Sequence, residues 1–419
     1  MQSKRRLILF VTAFTIVFGF LTIADPLFAA STEQVLYSFC TLSNCTDGAT
    51  PSASPIFDAA GNLYGTTLYG GAYGCGTVFQ LAPAANGTWT EAVLYSFCSG
   101  GTDGAYPYAS LIFDAAGNLY GTTEWGGAYG CGTVFRLAPA ANGTWTEAVL
   151  YSFGNGTDGQ NPLAGLIFDA AGNLFGTTYG GGAYRVGTVF ELAPGTNGKW
   201  TEKVLHSFGK DGFSPVASLI FDPAGHLYGT TSDGGFYGWG TVFQLTSGAR
   251  GKWTEKVLHS FGNGNDGHEP YAGLTLDAAG NLYGTTWAGG SGSCYYGGCG
   301  TVFRLSPGKK GKWKEQVLHR FSANGTDGFQ PYAGLILDAA GDLYGTTYLG
   351  GAYEDLGTAF RLALGTNGKW TEKVLHSFGR GTDGDGPWGS LIFDAAGNLY
   401  GTTQGGGAYG RGTVFEVTP

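Results

Sequence analysis

One phrase, LIFDAAGNLYGTT with small changes, occurs seven times in this chain, and its Asp falls at Asp58, Asp114, Asp169, Asp222, Asp277, Asp338 and Asp394. The spacings are 56, 55, 53, 55, 61 and 56 residues. A chain of like units must bury the apolar face of each unit against a copy of itself, so the fold is a ring or stack of one module. Each unit continues into GTVFxL (Thr77 to Leu81 in the first), then a turn, a Trp, EKVLHSF or EAVLYSF, and DGxxP, always in that order.

Within a unit four short apolar segments are separated by turn chemistry. In the second unit they are Leu111 to Phe113, Leu119 to Thr123, Thr133 to Leu137 and Glu147 to Phe153, with Ala115-Ala116-Gly117-Asn118 and Asn142-Gly143 as turns. The first two are almost uniformly apolar and the fourth mixes polar with apolar, which suits a four-stranded antiparallel blade graded from inner to outer edge. The expected fold is all-β, a seven-bladed β-propeller. A β-solenoid has a shorter coil, and an open sheet of so many strands leaves raw edges. An orphan fourth segment, Gln34 to Phe39, precedes the first full set, and the chain stops after a third segment, Thr413 to Val417. The expectation is that Val35 to Phe39 pairs antiparallel with Thr413 to Val417 and closes the ring.

The composition agrees: 77 Gly, 28 Phe, 24 Tyr and 10 Trp against a single Met disfavour long helices. Residues 1–30 read as a signal peptide, with Lys4, Arg5 and Arg6 before an apolar run from Leu7 to Ala24; an uncleaved N-terminal anchor is the alternative. The propeller then occupies residues 31–419, secreted or held in the cell envelope. With a net charge of −9, nucleic acid is an unsuitable partner, and no membrane contact is expected beyond such an anchor.

The repeated DAAGNLYGTT…GG…GTVFxL resembles the GloVer tandem repeat of exported bacterial proteins, over nearly all of residues 31 to 419. The resemblance implies an extracellular setting and brings no defined activity with it.

Several motifs have plainer readings than the chemistry they suggest. GxGxxG occurs at Gly154, Gly156 and Gly159 and twice more, but a Pro and a strand follow, where pyrophosphate binding needs a helix N-terminus. The DGxxP Asp residues, from Asp47 to Asp383, read as rigid crossings between blades; a calcium-binding ring of carboxylates is the weaker alternative, and no cofactor is otherwise expected. His206, His259, His319 and His376 stand where other units carry Tyr37, Tyr95 and Tyr151, which points to packing. Seven cysteines suit an oxidising compartment: Cys40 with Cys45, Cys75 with Cys98 and Cys294 with Cys299 are the candidate disulfides, leaving Cys131.

Function should lie where the repeats differ. Loops from fourth to first strand and from second to third emerge on one face and carry Trp125, Trp287, Tyr295, Tyr296, Gln330, Tyr348 and Trp388. Aromatic plates among amides suit a glycan, a cell-surface polymer or a protein partner, so the leading expectation is an extracellular binding module. A structural envelope protein is one alternative. A lyase or lactonase working at the central mouth is another, with His268, Glu269 and Asp385 as its candidate catalytic groups.

Overall fold

The computed structural model describes residues 31–292, 294 and 297–419. The segment 1–30, and with it the leader or anchor, lies outside the described residues, as do Tyr295 and Tyr296. Seven antiparallel blades follow one another along the chain, and two further two-stranded ladders join loops beside them. In the second blade the strands are Ile112–Phe113, Leu119–Thr123, Thr133–Pro139 and Trp145–Ser152, from the axis outwards. The innermost strand has only two residues, shorter than its apolar sequence suggests, because each chain enters the blade on loop backbone that packs around the axis. No helix among the described residues is long and apolar enough to cross a membrane.

The ring closes as expected. Thr32–Ser38 lies antiparallel to Thr413–Thr418, with Val35 opposite Phe415 and Ser38 opposite Thr413, so the first strand of the chain is the outer strand of the last blade. The register slips at Leu36, leaving it unpaired in a β-bulge, and the outer strands of the other six blades slip at the equivalent Leu, for example at Leu94.

The hydrophobic core sits between blades. Tyr64, Val78 and Phe97 pack against Leu111, Leu119, Phe135 and Leu137 of the next blade, and Tyr400 and Val414 meet Leu63, Phe79 and Leu81 across the closure. The Gly of LYGTT makes room for the third-strand Phe: a Cβ on Gly65 would stand 2.6 Å from Phe79 Cζ. In six blades the outer strand opens on a Trp that lies edge-on to the second-strand aromatic of the preceding blade, as Trp145 does to Tyr64 with ring centroids 6.3 Å apart; the closing strand Thr32–Ser38 has no such Trp.

Two turns use carboxylates. Asp58 accepts from the backbone N–H of Ala60 and Asn62, from Asn62 Nδ2 and from the Tyr64 hydroxyl. Burial pushes its pKa up, but these donors outweigh it and hold the carboxyl below its ordinary value. The DGxxP Asp caps the crossing into the next blade. Asp158 accepts from Gly154 and Asn155 N–H and from the Tyr151 hydroxyl at 2.8 Å.

Candidate functional site

Every crossing is stitched to its neighbours by the residue before the loop Pro. Thr50, Tyr106, Asn161, Ser214, Glu269, Gln330 and Gly386 all take positive φ, between 53° and 59°. In the first of these, Thr50 donates its N–H to the carbonyl of Arg411 in the last blade, and its own carbonyl accepts from Leu68. The loops entering each blade also pair with the loops after GTT: Gly104–Ala105 with Trp125–Gly126, Gly328–Phe329 with Leu349–Gly350, and Asp385 opposite Gly405. All these loops therefore occupy one face, and the Pro fixes where the following residue points.

That following residue is Ser52, Tyr108, Leu163, Val216, Tyr271, Tyr332 or Trp388 in the seven blades, and together these positions ring the axis at its mouth. Six of them, all but Ser52, join Tyr179 in lining a depression of about 290 Å³. Below them the channel narrows to backbone and small side chains such as Ala109, Ser110 and Gly165.

The aromatic members form one connected cluster. Tyr332 stacks on Trp388 at 3.7 Å between centroids and 17° between planes, and on Tyr271 at 5.3 Å and 29°. Trp287 and Tyr348 brace this pair from the post-GTT loops, with Trp287 at 5.9 Å from Tyr332 and Tyr348 at 5.2 Å from Trp388. Trp388 also meets Tyr108 edge-on at 6.3 Å. Burial in this cluster raises the Tyr108 and Tyr271 phenols above their ordinary pKa, so they stay neutral hydrogen-bonding groups.

The sequence candidates separate on this map. Trp388, Trp287 and Tyr348 belong to the mouth cluster. Trp125 stands 47% exposed on the outer rim and has no ring contact with the mouth among the described residues. Gln330 is sealed to 4% exposure, and its backbone serves the stitch. Sequence reasoning missed Tyr108, Tyr271 and Tyr332. The signal was available, since the position after Pro differs between blades in an otherwise uniform motif.

The candidate catalytic groups are not assembled. His268 Nδ1 lies 3.9 Å from Glu269 Oε1 and its ring packs on Trp239 at 4.8 Å. Burial lowers the His268 pKa and raises that of Glu269, and Glu269 accepts from the Tyr271 hydroxyl at 3.4 Å. Asp385 enters the seventh blade, with its pKa raised by burial and by Asp383; no hydrogen bond or ion pair joins it to His268 or Glu269 among the described residues. The disulfides join Cys40 to Cys45, Cys75 to Cys98 and Cys294 to Cys299, and Cys131 is free. A depression of about 810 Å³ lies by His206, Lys210 and Phe213, where the loop from Phe208 to Asp211 is two residues shorter than that from Phe153 to Asp158.

Seven blades of four strands, closed by the chain's own first strand around an aromatic mouth, define a β-propeller with an axial recess. The chain belongs to the Gloeobacter/Verrucomicrobia repeat family, whose model matches residues 25–220, 141–307 and 292–419. No curated protein matches it in sequence. Among solved structures it is similar to the extracellular domain of a protein described as a hybrid two component system from B. thetaiotaomicron, at 11% identity and a TM-score of 0.53, over 91% of this chain and 39% of that one. It also matches PorZ, a surface component of the type-IX secretion system of Porphyromonas gingivalis, at 15% identity and a TM-score of 0.48, over 87% of this chain and 46% of that one. The chain thus spans under half of either structure, and the first likeness carries the fold alone.

Proposed function

We propose that this propeller is an extracytoplasmic binding module that takes a carbohydrate end at its axial mouth. The observation that carries the reading is the cluster of Tyr108, Tyr271, Tyr332 and Trp388 around a recess of about 290 Å³. Neutral phenols and an indole offer flat apolar faces with hydrogen-bonding tips, the combination that reads the two faces and the hydroxyl edge of a sugar. Ligand pockets run from roughly 300 Å³ upwards, so this one suits a terminal sugar unit better than a threaded chain. Three disulfides and surface-associated propellers among its structural neighbours support an extracytoplasmic setting.

Glycan-array binding followed by calorimetry tests the reading. The expected result is a saccharide that binds wild type and is lost in Trp388→Ala and Tyr332→Ala. Saccharide binding that survives both substitutions, or no binding to any saccharide, would move the protein to a structural role in the envelope.

A further inference from the structure

The seams between blades hold a second set of polar groups that the mouth does not use. The penultimate residue of each outer strand meets the DGxxP Asp: Tyr37 donates to Asp47 Oδ2 at 2.8 Å, and His206, His259 and His376 stand at 2.8, 3.0 and 2.9 Å from Asp211, Asp266 and Asp383. The Glu of the next blade's outer strand is turned in toward this pair. Glu33, Glu91, Glu147, Glu202, Glu255, Glu315 and Glu372 all have a buried Oε1 with no hydrogen-bond partner among the described residues. Seven repeats of an unpaired buried carboxylate oxygen are too regular to be accidents of packing.

At the seam that closes the ring, one ligand atom each from Glu33, His376 and Asp383 lie within 4.8 Å of one another. An independent observation comes from the seam one blade earlier. There Asp327, whose side chain is 9% exposed, has no hydrogen bond to Oδ1 and Glu372 has none to Oε1, while His319 Nε2 stands 3.4 Å from Asp327 Oδ2. All three residues border a depression of about 520 Å³. A buried carboxylate without a partner costs stability unless a proton or a cation meets it.

We infer that the seam of Glu33, His376 and Asp383 binds a first-row divalent transition ion of the zinc class. One imidazole nitrogen with two carboxylates suits such an ion, whereas calcium takes six to eight oxygens. Two carboxylates with a neutral imidazole carry the charge that a dication cancels. The ion would join the N-terminal strand, through Glu33, to the sixth blade's outer strand, through His376, and so act as a clamp on the ring closure. The three Tyr seams lack the imidazole and serve as internal controls.

The experiment uses the chelator-treated protein in a Cys131→Ser background, so that the free thiol does not compete, and titrates it with zinc alone. Expected are saturable binding by calorimetry and a melting temperature raised by several degrees at about a hundredfold excess over Kd. His376→Tyr copies the Tyr37 seam and keeps the hydrogen bond to Asp383, so it should fold with the metal-free melting temperature of the parent. It should lose one equivalent of zinc and the shift tied to the closing strand, and Glu33→Gln should do the same. No zinc binding, or stoichiometry and shift unchanged in His376→Tyr, would overturn the inference; a melting temperature that follows pH but not zinc would assign the seams to a shared proton instead.

Discussion

Two rings surround the same axis and tolerate different things. At the seam, the penultimate outer-strand position holds only Tyr or His, while at the mouth the residue after the loop Pro is Ser, Tyr, Leu, Val or Trp. The seam side chain must place one donor on the Oδ2 of a capping Asp, and a phenol and an imidazole reach it equally, at 2.8 Å in both Tyr151–Asp158 and His206–Asp211. The mouth side chains cap no crossing; they touch each other and line the recess. A position bound by the frame is nearly uniform, and a position released from it is free to serve a ligand.

The strongest way to break this contrast is to remove a seam cap. Asp158→Ala strips the acceptor from Tyr151, Gly154 and Asn155. It should cost about 1–3 kcal/mol for each donor left buried, seen as a lower denaturation midpoint. Leu163→Ser at the mouth of the same blade should cost under about 1 kcal/mol, because Leu163 faces the recess. Equal losses would show that the mouth is part of the frame. Trp388→Ala should reverse the pattern, with saccharide affinity down about tenfold or more and the denaturation midpoint little changed.

The seams should also set the pH dependence. In two Tyr seams burial, then the nearby Asp47 or Asp158, pushes the Glu91 and Glu202 carboxyls up to about 8. A carboxyl whose folded pKa lies above its unfolded value of 4.5 favours the fold while protonated. That contribution is complete below the unfolded value and is lost as pH rises through the folded one. The melting temperature should therefore fall between about pH 5 and pH 9, and Glu91→Gln with Glu202→Gln should flatten the fall. Asp58 and Asp114, held below their ordinary pKa, act in the opposite sense and only at lower pH, where their protonation loosens the turns. A slope unchanged by the double substitution would mean that water reaches these carboxylates and relieves them.

The ring, its blade count and its closure were legible because they follow from repetition and from a strand left over at the start that the last unit lacks. The innermost strands came out shorter than their apolar sequence, since apolarity there reports burial near the axis and not ladder hydrogen bonds. The Tyr/His exchange read as packing, and only its geometry shows a shared hydrogen bond to Asp. The Glu of the outer strand gave no signal, because it recurs in every blade and its neighbours come from the blade before. At the mouth, Trp388 was visible but Tyr108, Tyr271 and Tyr332 were not. The loop residues between DG and Pro looked like the variable ones, yet at Glu269 and Gln330 the last of them is held by its backbone.

The smallest expected effect gives the sharpest placement of the site. Trp125 is the most exposed tryptophan of the loop face, and size and exposure alone would make it the first choice for a sugar platform. It follows GTT-Glu on the second blade, paired through its backbone to Ala105, and no aromatic ring braces it among the described residues. A ring with no aromatic brace gives up more rotamer freedom to stack on a sugar, whereas Trp388 is already fixed between Tyr332 and Tyr348. Trp125→Ala should then lower saccharide affinity by less than about threefold and leave stability within about 0.5 kcal/mol. Affinity lost as fully as in Trp388→Ala would place the ligand across the outer rim, and the axial recess would then be a by-product of closing seven blades.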